Sequence, residues 1–165
     1  MFALIKNGVV VQIQPNEEPG FVAVPAGTIC GMVQNTDGTF PAPGPTLTQA
    51  QASQIALLRT FCQSAITGGF TSNALGSVNY YSSGLEWQKN IDRTSANPNG
   101  GIIRCGPTPT GAWSLTPHTQ AQAVQVREDL QTWVESCLKQ EDALIAQVTA
   151  ATTASGVRAI VWVNP

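Results

Sequence analysis

The N-terminal part of the chain alternates apolar and polar positions with a period of two, which predicts β-strands. Apolar residues stand at Phe2 and Leu4 and again at Val9 and Val11, on either side of Asn7-Gly8. An Asn-Gly pair between two such runs favours a tight hairpin turn, because both residues tolerate the positive φ angles that the turn requires. We therefore predict that the chain opens with a β-hairpin.

Two more short segments with turn residues come after this hairpin. Phe21 to Ile29 predicts a further strand, and Asp37-Gly38 between Val33 and Phe40 predicts a second hairpin. Together these elements predict a small N-terminal β meander of about 40 residues, a size at the lower limit for folding alone. We expect this unit to rest on a partner or on the rest of the chain.

A proline-rich segment separates the β unit from the remainder of the chain. Pro41–Pro45 contains three prolines in five residues, and such a segment forms a semi-rigid spacer because proline cannot join a regular hydrogen-bonded ladder. The chain of 165 residues is therefore predicted to divide into an N-terminal β module, residues 1–43, and a C-terminal domain, residues 44–165.

Apolar residues recur at helical spacing directly after the proline-rich segment. The helix is predicted to begin near Thr48, with Gln51 three residues on at the spacing of a capping box. Leu58 and Cys62 lie on its apolar face, and Gly68-Gly69 supplies the C-terminal stop.

A second long helix is predicted in the last third of the chain. Thr116 suits the N-cap and Pro117 the first helical position, where its missing N–H leaves no hydrogen bond unmade. The apolar face continues to about Ala150, with a break near Gln140 as the alternative. Beyond this helix, alternation from Val157 to Val163 predicts a short strand.

The segment between the two helices is rich in Gly, Ser, Asn and Pro. Its pattern predicts two short strands about Leu75-Gly76, a short helix over Leu85–Ala96 and a strand over Ile102–Cys105. The predicted class is therefore α+β: a small N-terminal β meander, a Pro-rich linker, and a mixed domain with two main helices and short strands.

Charge is scarce along the chain. Charged residues make up 11% of the sequence and the net charge is −2, whereas soluble domains average about 25% charged residues. A surface poor in charge is weakly protected against association, which is typical of an assembly component. The eight basic residues are scattered from Lys6 to Arg158, so we expect no nucleic-acid binding and no docking on an anionic membrane.

The sequence suggests no targeting or membrane segment. Lys6 follows the first apolar residues, unlike the charge of a signal peptide, and no stretch approaches the roughly 20 apolar residues of a membrane span. We expect a protein made in, and soluble in, a cytoplasm. The widely spaced Cys30, Cys62, Cys105 and Cys137 then favour four free, mostly buried thiols, with disulfides as the alternative.

The residue types needed for catalysis or ligand binding do not occur in the required patterns. The single histidine, His118, falls in the first turn of the predicted second helix, and no Gly-x-Ser-x-Gly elbow accompanies it. The cysteines are too dispersed for a zinc site, and neither glycine pair has the spacing of a phosphate loop. We therefore predict no catalytic residue, no metal site and no cofactor.

Acidic clusters are the remaining chemical candidates, because a pair of carboxylates could serve a glycosidase. We interpret these clusters as solvated surface charge, since nothing in the sequence indicates burial or a cleft. The clusters are Glu17 with Glu18, Glu86 with Asp92, and Glu128 with Asp129.

Three aromatic residues stand in the polar, loop-rich middle segment: Tyr80, Tyr81 and Trp87. The simpler interpretation is that they fill the core beneath the loops. The alternative is that they anchor an interface, because Tyr and Trp dominate binding hot spots. With Phe2 and Phe40 of the β unit they form our set of candidate interface residues.

The opening residues match a pattern seen in phage proteins. Met1–Val11 followed by Gly38–Pro43 resembles the short β module that opens many tail-fibre assembly and tail-appendage proteins of tailed bacteriophages. In those proteins a strand, a turn and a strand precede a further strand that ends in a Gly-x-Phe-x-x-Pro pattern, as Gly38, Phe40 and Pro43 do here.

Several pieces of the C-terminal domain resemble, in order, a tail-associated domain of unknown function that recurs in such proteins. These pieces are Gly69–Tyr81, Gln88–Ile91, Trp113–Thr119, Thr149–Thr152 and Val157–Trp162. Their order along the chain is more specific than any single piece. The pattern carries no established catalytic residues, so the resemblance transfers no site to this chain.

The resemblance implies a non-enzymatic structural component of a phage tail, in the baseplate or tail-fibre region. Its partners would be other tail proteins, and its N-terminal unit would dock on one of them by strand pairing. Its location would be the virion tail, or the host cytoplasm during assembly. A trimer is expected by analogy with threefold fibres and baseplates. The alternatives are a tail-fibre assembly chaperone absent from the mature virion and, third, a cell-wall-degrading tail enzyme.

Overall fold

The computed structural model describes residues 1–40 and 45–165 and divides into two compact units, Met1–Pro45 and Thr46–Pro165. The sequence placed this boundary between residues 43 and 44. Four residues of the predicted linker, 41–44, lie outside the described residues. Helices account for 43% of the structure and antiparallel sheets for 20%, so the predicted α+β class is confirmed.

The N-terminal unit is built on a three-stranded antiparallel sheet of β1 (Phe2–Lys6), β2 (Val9–Gln14) and β3 (Phe21–Ala23). The predicted opening hairpin is confirmed, because Asn7 and Gly8 connect β1 to β2 with φ angles of 51° and 75°.

The strand order is β2-β1-β3, so the third strand pairs with the first and not with the second. This order corrects the predicted meander. The outer edge of β2 is already occupied, because the Val10 N–H donates to the Met32 carbonyl at 2.9 Å and the Gly31 N–H donates to the Val10 carbonyl at 2.8 Å. The third strand therefore pairs at the other side of β1.

The second predicted hairpin is a turn without a strand ladder. The Asp37 carboxylate accepts from the Thr39 N–H at 2.9 Å and from the Thr39 hydroxyl at 2.6 Å, and Gly38 takes a φ of 82°. These local hydrogen bonds lower the pKa of Asp37 below its ordinary value. Ile29, predicted to extend the third strand, is exposed and lies outside β3.

The C-terminal unit contains four helices and a four-stranded antiparallel sheet in the order β4-β5-β6-β7. In chain order its elements are α1 (Leu47–Thr67), β4 (Phe70–Ser72), β5 (Asn79–Tyr81), α2 (Leu85–Ala96), β6 (Gly101–Gly106), β7 (Ser114–His118), α3 (Gln120–Ala150) and α4 (Ala154–Ala159). The two main helices, the helix over Leu85–Ala96 and the strands about Leu75-Gly76 agree with the predicted elements.

The first long helix begins two residues before the predicted N-cap. Thr46, not Thr48, caps α1: its side chain accepts from the Gln49 N–H, and the Gln49 side chain accepts from the Thr46 N–H. Both threonines are followed three residues later by glutamine, so the capping-box spacing alone does not distinguish them. Gly68 forms the C-cap as predicted.

The second long helix begins later than predicted, and His118 is not part of it. Thr119 is the N-cap and forms a capping box with Gln122, while Thr116 and Pro117 lie in β7. Proline is tolerated there because β7 is an edge strand, where its missing N–H breaks no ladder. The helix then runs unbroken past Gln140 to Ala150.

The predicted strand from Val157 to Val163 is wrong. Ala154–Ala159 forms the short helix α4, capped by Thr153, and the residues after it form no strand. Val157 is fully buried against α1 and α3, and the Gln54 side-chain amide of α1 donates to the Ile160 carbonyl at 2.6 Å. Tertiary contacts therefore bury the apolar side chain and pair the backbone of a segment whose sequence alternates like a strand.

Candidate interaction surface

The four-stranded sheet of the C-terminal unit has one covered face and one open face. Its inner face packs against α2 and α3 through a shared apolar core of Phe70, Tyr81, Ile91, Ile103, Cys105, Ala123, Val126 and Leu130. Successive strand residues point to opposite faces. We define the outer sheet face by the residues that alternate with the inner ones: Tyr80, Ile102, Arg104, Leu115 and Pro117.

Cross-strand pairing brings the apolar members of the outer sheet face together. Ile102 pairs with Pro117 and Arg104 pairs with Leu115 across β6 and β7. Ile102 is 49% exposed and Leu115 is 55% exposed. Directly paired residues contact each other on the same face, so these side chains form one continuous, solvent-exposed patch.

Aromatic and cationic groups border this patch. Tyr80 is half-buried on β5, and the guanidinium carbon of Arg104 lies 5.6 Å from the centroid of the Trp87 ring, within cation–π range. The structure thus places two of the predicted interface residues, Tyr80 and Trp87, at or beside the outer sheet face. The sequence analysis did not predict the other members of this face, Ile102, Arg104 and Leu115. The alternation of residues on either side of Ile103 was the pattern that could have identified them.

Trp113 covers one end of the same face. A Cβ atom added to Gly106 would lie 2.8 Å from Cδ1 of Trp113, so only glycine lets the indole lie this close to the sheet. The ring is held by its N–H, which donates to the Thr108 carbonyl at 2.8 Å. The sequence did not identify this role, because the indole reaches Gly106, the last residue of β6, from the segment just before β7.

Tyr81 lies on the opposite side of the sheet from Tyr80 and is 0% exposed. It is a core residue, which corrects its inclusion among the candidate interface residues. Its hydroxyl is 3.0 Å from Nε2 of His118, whose Nδ1 is 2.8 Å from the Thr116 carbonyl. A carbonyl oxygen only accepts, so in the neutral tautomer that fits both contacts Nδ1 donates to Thr116 and Nε2 accepts from Tyr81.

Burial raises the pKa of the Tyr81 phenol above its ordinary value, and the nearby Cys105 and Asp129 add to this effect. The phenol therefore stays protonated and can donate to His118. This pair is a satisfied polar contact within an apolar core, with both side chains buried. His118 has no carboxylate or nucleophile as a hydrogen-bond partner among the described residues, so the pair lacks the arrangement of a catalytic triad.

The two N-terminal candidates lie on different faces of their own sheet. Phe40 packs against the small core of Ala3, Val10 and Val24. Phe2 is half-buried and points to the opposite face, because it alternates with Ala3 along β1. Phe2 and Phe40 therefore do not form one patch.

The acidic clusters of the sequence lie at the protein surface. Glu17, Glu18, Glu86, Asp92 and Glu128 are exposed, and Asp129 is half-buried. Asp129 accepts a hydrogen bond from the Gln125 amide at 2.9 Å. Within residues 1–40 and 45–165, no group of three His, Cys, Asp or Glu side chains is arranged to hold a metal ion.

All four cysteines are free; Cys30 is exposed and the other three are buried. Burial raises the pKa of the Cys62 thiol to about 12, with Glu141 adding to the effect, and it also raises the pKa of Cys137. The thiolate is the reactive form of cysteine, so these two buried thiols behave as small apolar side chains.

Comparison of the chain with models of protein families, with curated proteins and with solved structures finds no match. In the part of the chain that the structure describes, every helix is too short or too polar to cross a membrane. The outer sheet face combines exposed Ile102 and Leu115 with aromatic and arginine side chains, a composition typical of protein interfaces.

Proposed function

We propose that this protein is a non-enzymatic structural component of a bacteriophage tail, in the baseplate or tail-fibre region, and that it acts through protein–protein contacts. The proposal is supported by the resemblance of Met1–Val11 and Gly38–Pro43 to a tail β module, and by the ordered pieces that resemble a tail-associated domain. The low proportion of charged residues, 11%, is consistent with a surface covered by neighbours.

The composition of the outer sheet face is the main support for a role in protein–protein contact. It combines exposed Ile102 and Leu115 with Tyr80, and the Arg104 guanidinium stacks on Trp87 beside it. Tyr, Trp and Arg are the residues most enriched in binding hot spots, where a surrounding apolar surface excludes water. We assign this face to contact with another tail protein.

The N-terminal unit supplies a second contact in this proposal. Within the described residues, β3 is three residues long and pairs with β1 on one side. An exposed strand edge can accept a strand from another chain through main-chain hydrogen bonds. A neighbouring tail protein would add its strand at β3, as the resemblance to a docking module implies.

Mass spectrometry of purified particles tests the structural role directly. A built-in tail part is expected in the virion at a fixed ratio to the other tail proteins. Its absence from particles would remove the structural role and favour the assembly chaperone. The chaperone role in turn predicts a fall in soluble fibre yield when the fibre protein is produced without this chain; an unchanged yield would exclude it.

The contact role of the outer sheet face is tested by replacing Tyr80 and Leu115 together with serine. We expect this variant to keep its circular-dichroism spectrum and to be lost from particles, because the interface loses its apolar anchors. Leu138→Ser is the matched control, because Leu138 is 45% exposed on α3, away from the sheet. Equal incorporation of both variants would show that the partner binds elsewhere.

Enzymatic activity is tested by a zymogram on peptidoglycan with the full chain. The proposal predicts no clearing, because the histidine is engaged with Tyr81 and the acidic side chains of the clusters lie at the surface. Clearing that persists in a preparation free of other proteins would overturn the non-enzymatic assignment and support the cell-wall-degrading alternative.

A further inference from the structure

A small pocket in the C-terminal unit is lined by three aromatic side chains that the outer sheet face does not include. It lies where the end of α1 meets α3 and the C-terminal segment, and its volume is about 280 Å³. We call it the aromatic pocket and define it by Phe61, Ser64, Gly68, Trp133, Trp162 and Asn164. This size is close to the lower end of small-molecule sites, about 300–1,000 Å³.

The two indole rings of the aromatic pocket are fixed by hydrogen bonds inside the protein. Nε1 of Trp133 donates to the Ala65 carbonyl at 3.1 Å, and Nε1 of Trp162 donates to Oδ1 of Asn164 at 2.7 Å. Each ring has therefore used its only polar hydrogen. What the rings offer a ligand is their π-electron surface, which carries partial negative charge.

Backbone N–H groups beside the pocket are also engaged. The Gly68 N–H donates to the Ala65 carbonyl at 3.3 Å, and the Gly69 N–H donates to the Ser83 hydroxyl at 2.8 Å. An anion needs N–H donors or a basic side chain, and the described residues that line the pocket include neither lysine nor arginine. The lining is therefore unsuited to phosphate or carboxylate.

The electrostatics of α1 favour a cation at the same position. The helix is 21 residues long, its C-cap is Gly68, and its last turn contains no basic residue. The C-terminal end of a helix carries about half a negative charge. The last carbonyls of α1 already accept hydrogen bonds inside the protein, that of Ala65 from Nε1 of Trp133 and that of Ile66 from the Ser83 hydroxyl, so they offer a ligand this charge and not free acceptors. This end of α1 lines the pocket through Ser64, Ala65 and Gly68. The aromatic rings and the helix dipole therefore both favour a positively charged ligand.

We propose that the aromatic pocket binds a quaternary ammonium group of the choline class. A primary ammonium is strongly hydrated and needs acceptors in place of water, and a metal cation needs several oxygen ligands. A quaternary ammonium has no N–H to satisfy and is held by aromatic faces. Phe61, Trp133 and Trp162 line the pocket and supply the aromatic surface. The proposal does not depend on the proposed tail function.

The ligand class is tested by titrating the full chain with choline chloride, followed by tryptophan fluorescence and by calorimetry. The matched neutral compound is 3,3-dimethylbutan-1-ol, in which carbon replaces the charged nitrogen. We expect saturable millimolar binding of choline and at least tenfold weaker binding of the neutral compound, because the attraction is electrostatic. Equal affinity for both, or no saturation by choline, would overturn the proposal.

The source of the group is tested with vesicles. Co-sedimentation with phosphatidylcholine vesicles but not with phosphatidylglycerol vesicles identifies a lipid headgroup as the ligand. Binding of free choline without co-sedimentation identifies a soluble ligand. Both results support the quaternary ammonium site, whereas co-sedimentation with phosphatidylglycerol alone contradicts it.

The position of the site is tested with ring-removing substitutions. Trp162→Leu is expected to weaken choline binding about tenfold or more and Phe61→Leu about threefold, since each leaves an apolar side chain and removes one ring. Phe61 is 43% exposed, so this variant should fold even if Trp162→Leu does not. Leu57→Ala, at a 45% exposed position of the same helix, is the control and should bind choline normally. Unchanged binding by Phe61→Leu would place the ligand elsewhere.

Discussion

Tyr80 and Tyr81 are neighbours in sequence and residues of the same type, yet they lie on opposite faces of one sheet. Tyr81 is fully buried, contacts the Phe70 ring and donates to His118, whereas Tyr80 lies on the outer face. Ile102 and Ile103 repeat this contrast on β6, at 49% and 0% exposure. Residue type therefore did not decide which side chain serves the core and which remains available to a partner.

The difference between the two faces comes from what packs against them. Helices α2 and α3 remove the inner face from water, whereas the outer face keeps an apolar patch in contact with solvent. Burial of apolar area stabilises the fold, and exposed apolar area in a continuous patch is typical of a binding surface. Substitutions at paired positions should separate these two roles.

The largest expected effect is that of Tyr81→Ala. Removing this buried ring leaves a cavity and leaves Nε2 of His118 without its donor, and we expect a loss of about 3–5 kcal/mol in the free energy of unfolding. Tyr80→Ala should cost about 1 kcal/mol or less. Urea denaturation of both variants measures the difference, and equal losses would contradict the assignment of the two tyrosines to opposite faces.

The isoleucine pair on β6 gives a second test of the same contrast. Ile103→Ala should reduce the free energy of unfolding by about 2–5 kcal/mol, because the buried side chain is replaced by a cavity. Ile102→Ala should change it by about 1 kcal/mol or less. The comparison is made by denaturant unfolding under the same conditions. A larger effect at Ile102 would mean that the outer face is covered in solution.

Tyr81→Phe tests the buried hydrogen bond without removing the ring. It leaves Nε2 of His118 without its donor, and we expect a loss of about 1–3 kcal/mol. The control is Tyr80→Phe, which should be within about 0.5 kcal/mol of the natural protein. If the two hydroxyl deletions prove equal, the contact between Tyr81 and His118 adds nothing to stability.

The smallest expected effect is a loss of stability in alkaline solution caused by ionisation of Tyr81. The pKa of Tyr81 is raised in the folded state, so its contribution is present below the ordinary tyrosine pKa, about 10, and is lost as pH rises above it. From about pH 9 to about pH 11 the free energy of unfolding should fall by up to about 1.4 kcal/mol more than that of Tyr81→Phe. Every other ionisable group is common to the two proteins, so parallel curves would contradict the raised pKa of Tyr81.

Local chemistry in the sequence determined several elements by itself. Asn7-Gly8 and Gly68-Gly69 were placed correctly, because positive φ angles and a helix stop are properties of the residues themselves. The helix over Leu85–Ala96 was predicted with the same bounds. The α+β class followed from the change of apolar period, which each element carries along its own length.

Among the candidate interface residues, the sequence identified Tyr80 and Trp87 but could not separate them from Tyr81. The face of a strand residue is known once its register is known, and register depends on pairing with distant strands. β5 pairs with β4 on one side and with β6 on the other, which placed Tyr80 outward. The contact between the Arg104 guanidinium and the Trp87 ring likewise depends on the position that strand pairing gives β6.

The remaining elements were decided only by tertiary structure, because competing local signals were of equal strength. Thr116-Pro117 fits a helix start, yet both residues pair with β6 and lie in an edge strand. The N-cap of α3 is therefore Thr119. Val157 to Val163 alternates like a strand, yet contacts with α1 and α3 hold its first residues in a helix. The sequence by itself determined where the chain can turn and which stretches are apolar. Long-range packing decided which side of each stretch faces the core, and thereby which surface remains open to a partner.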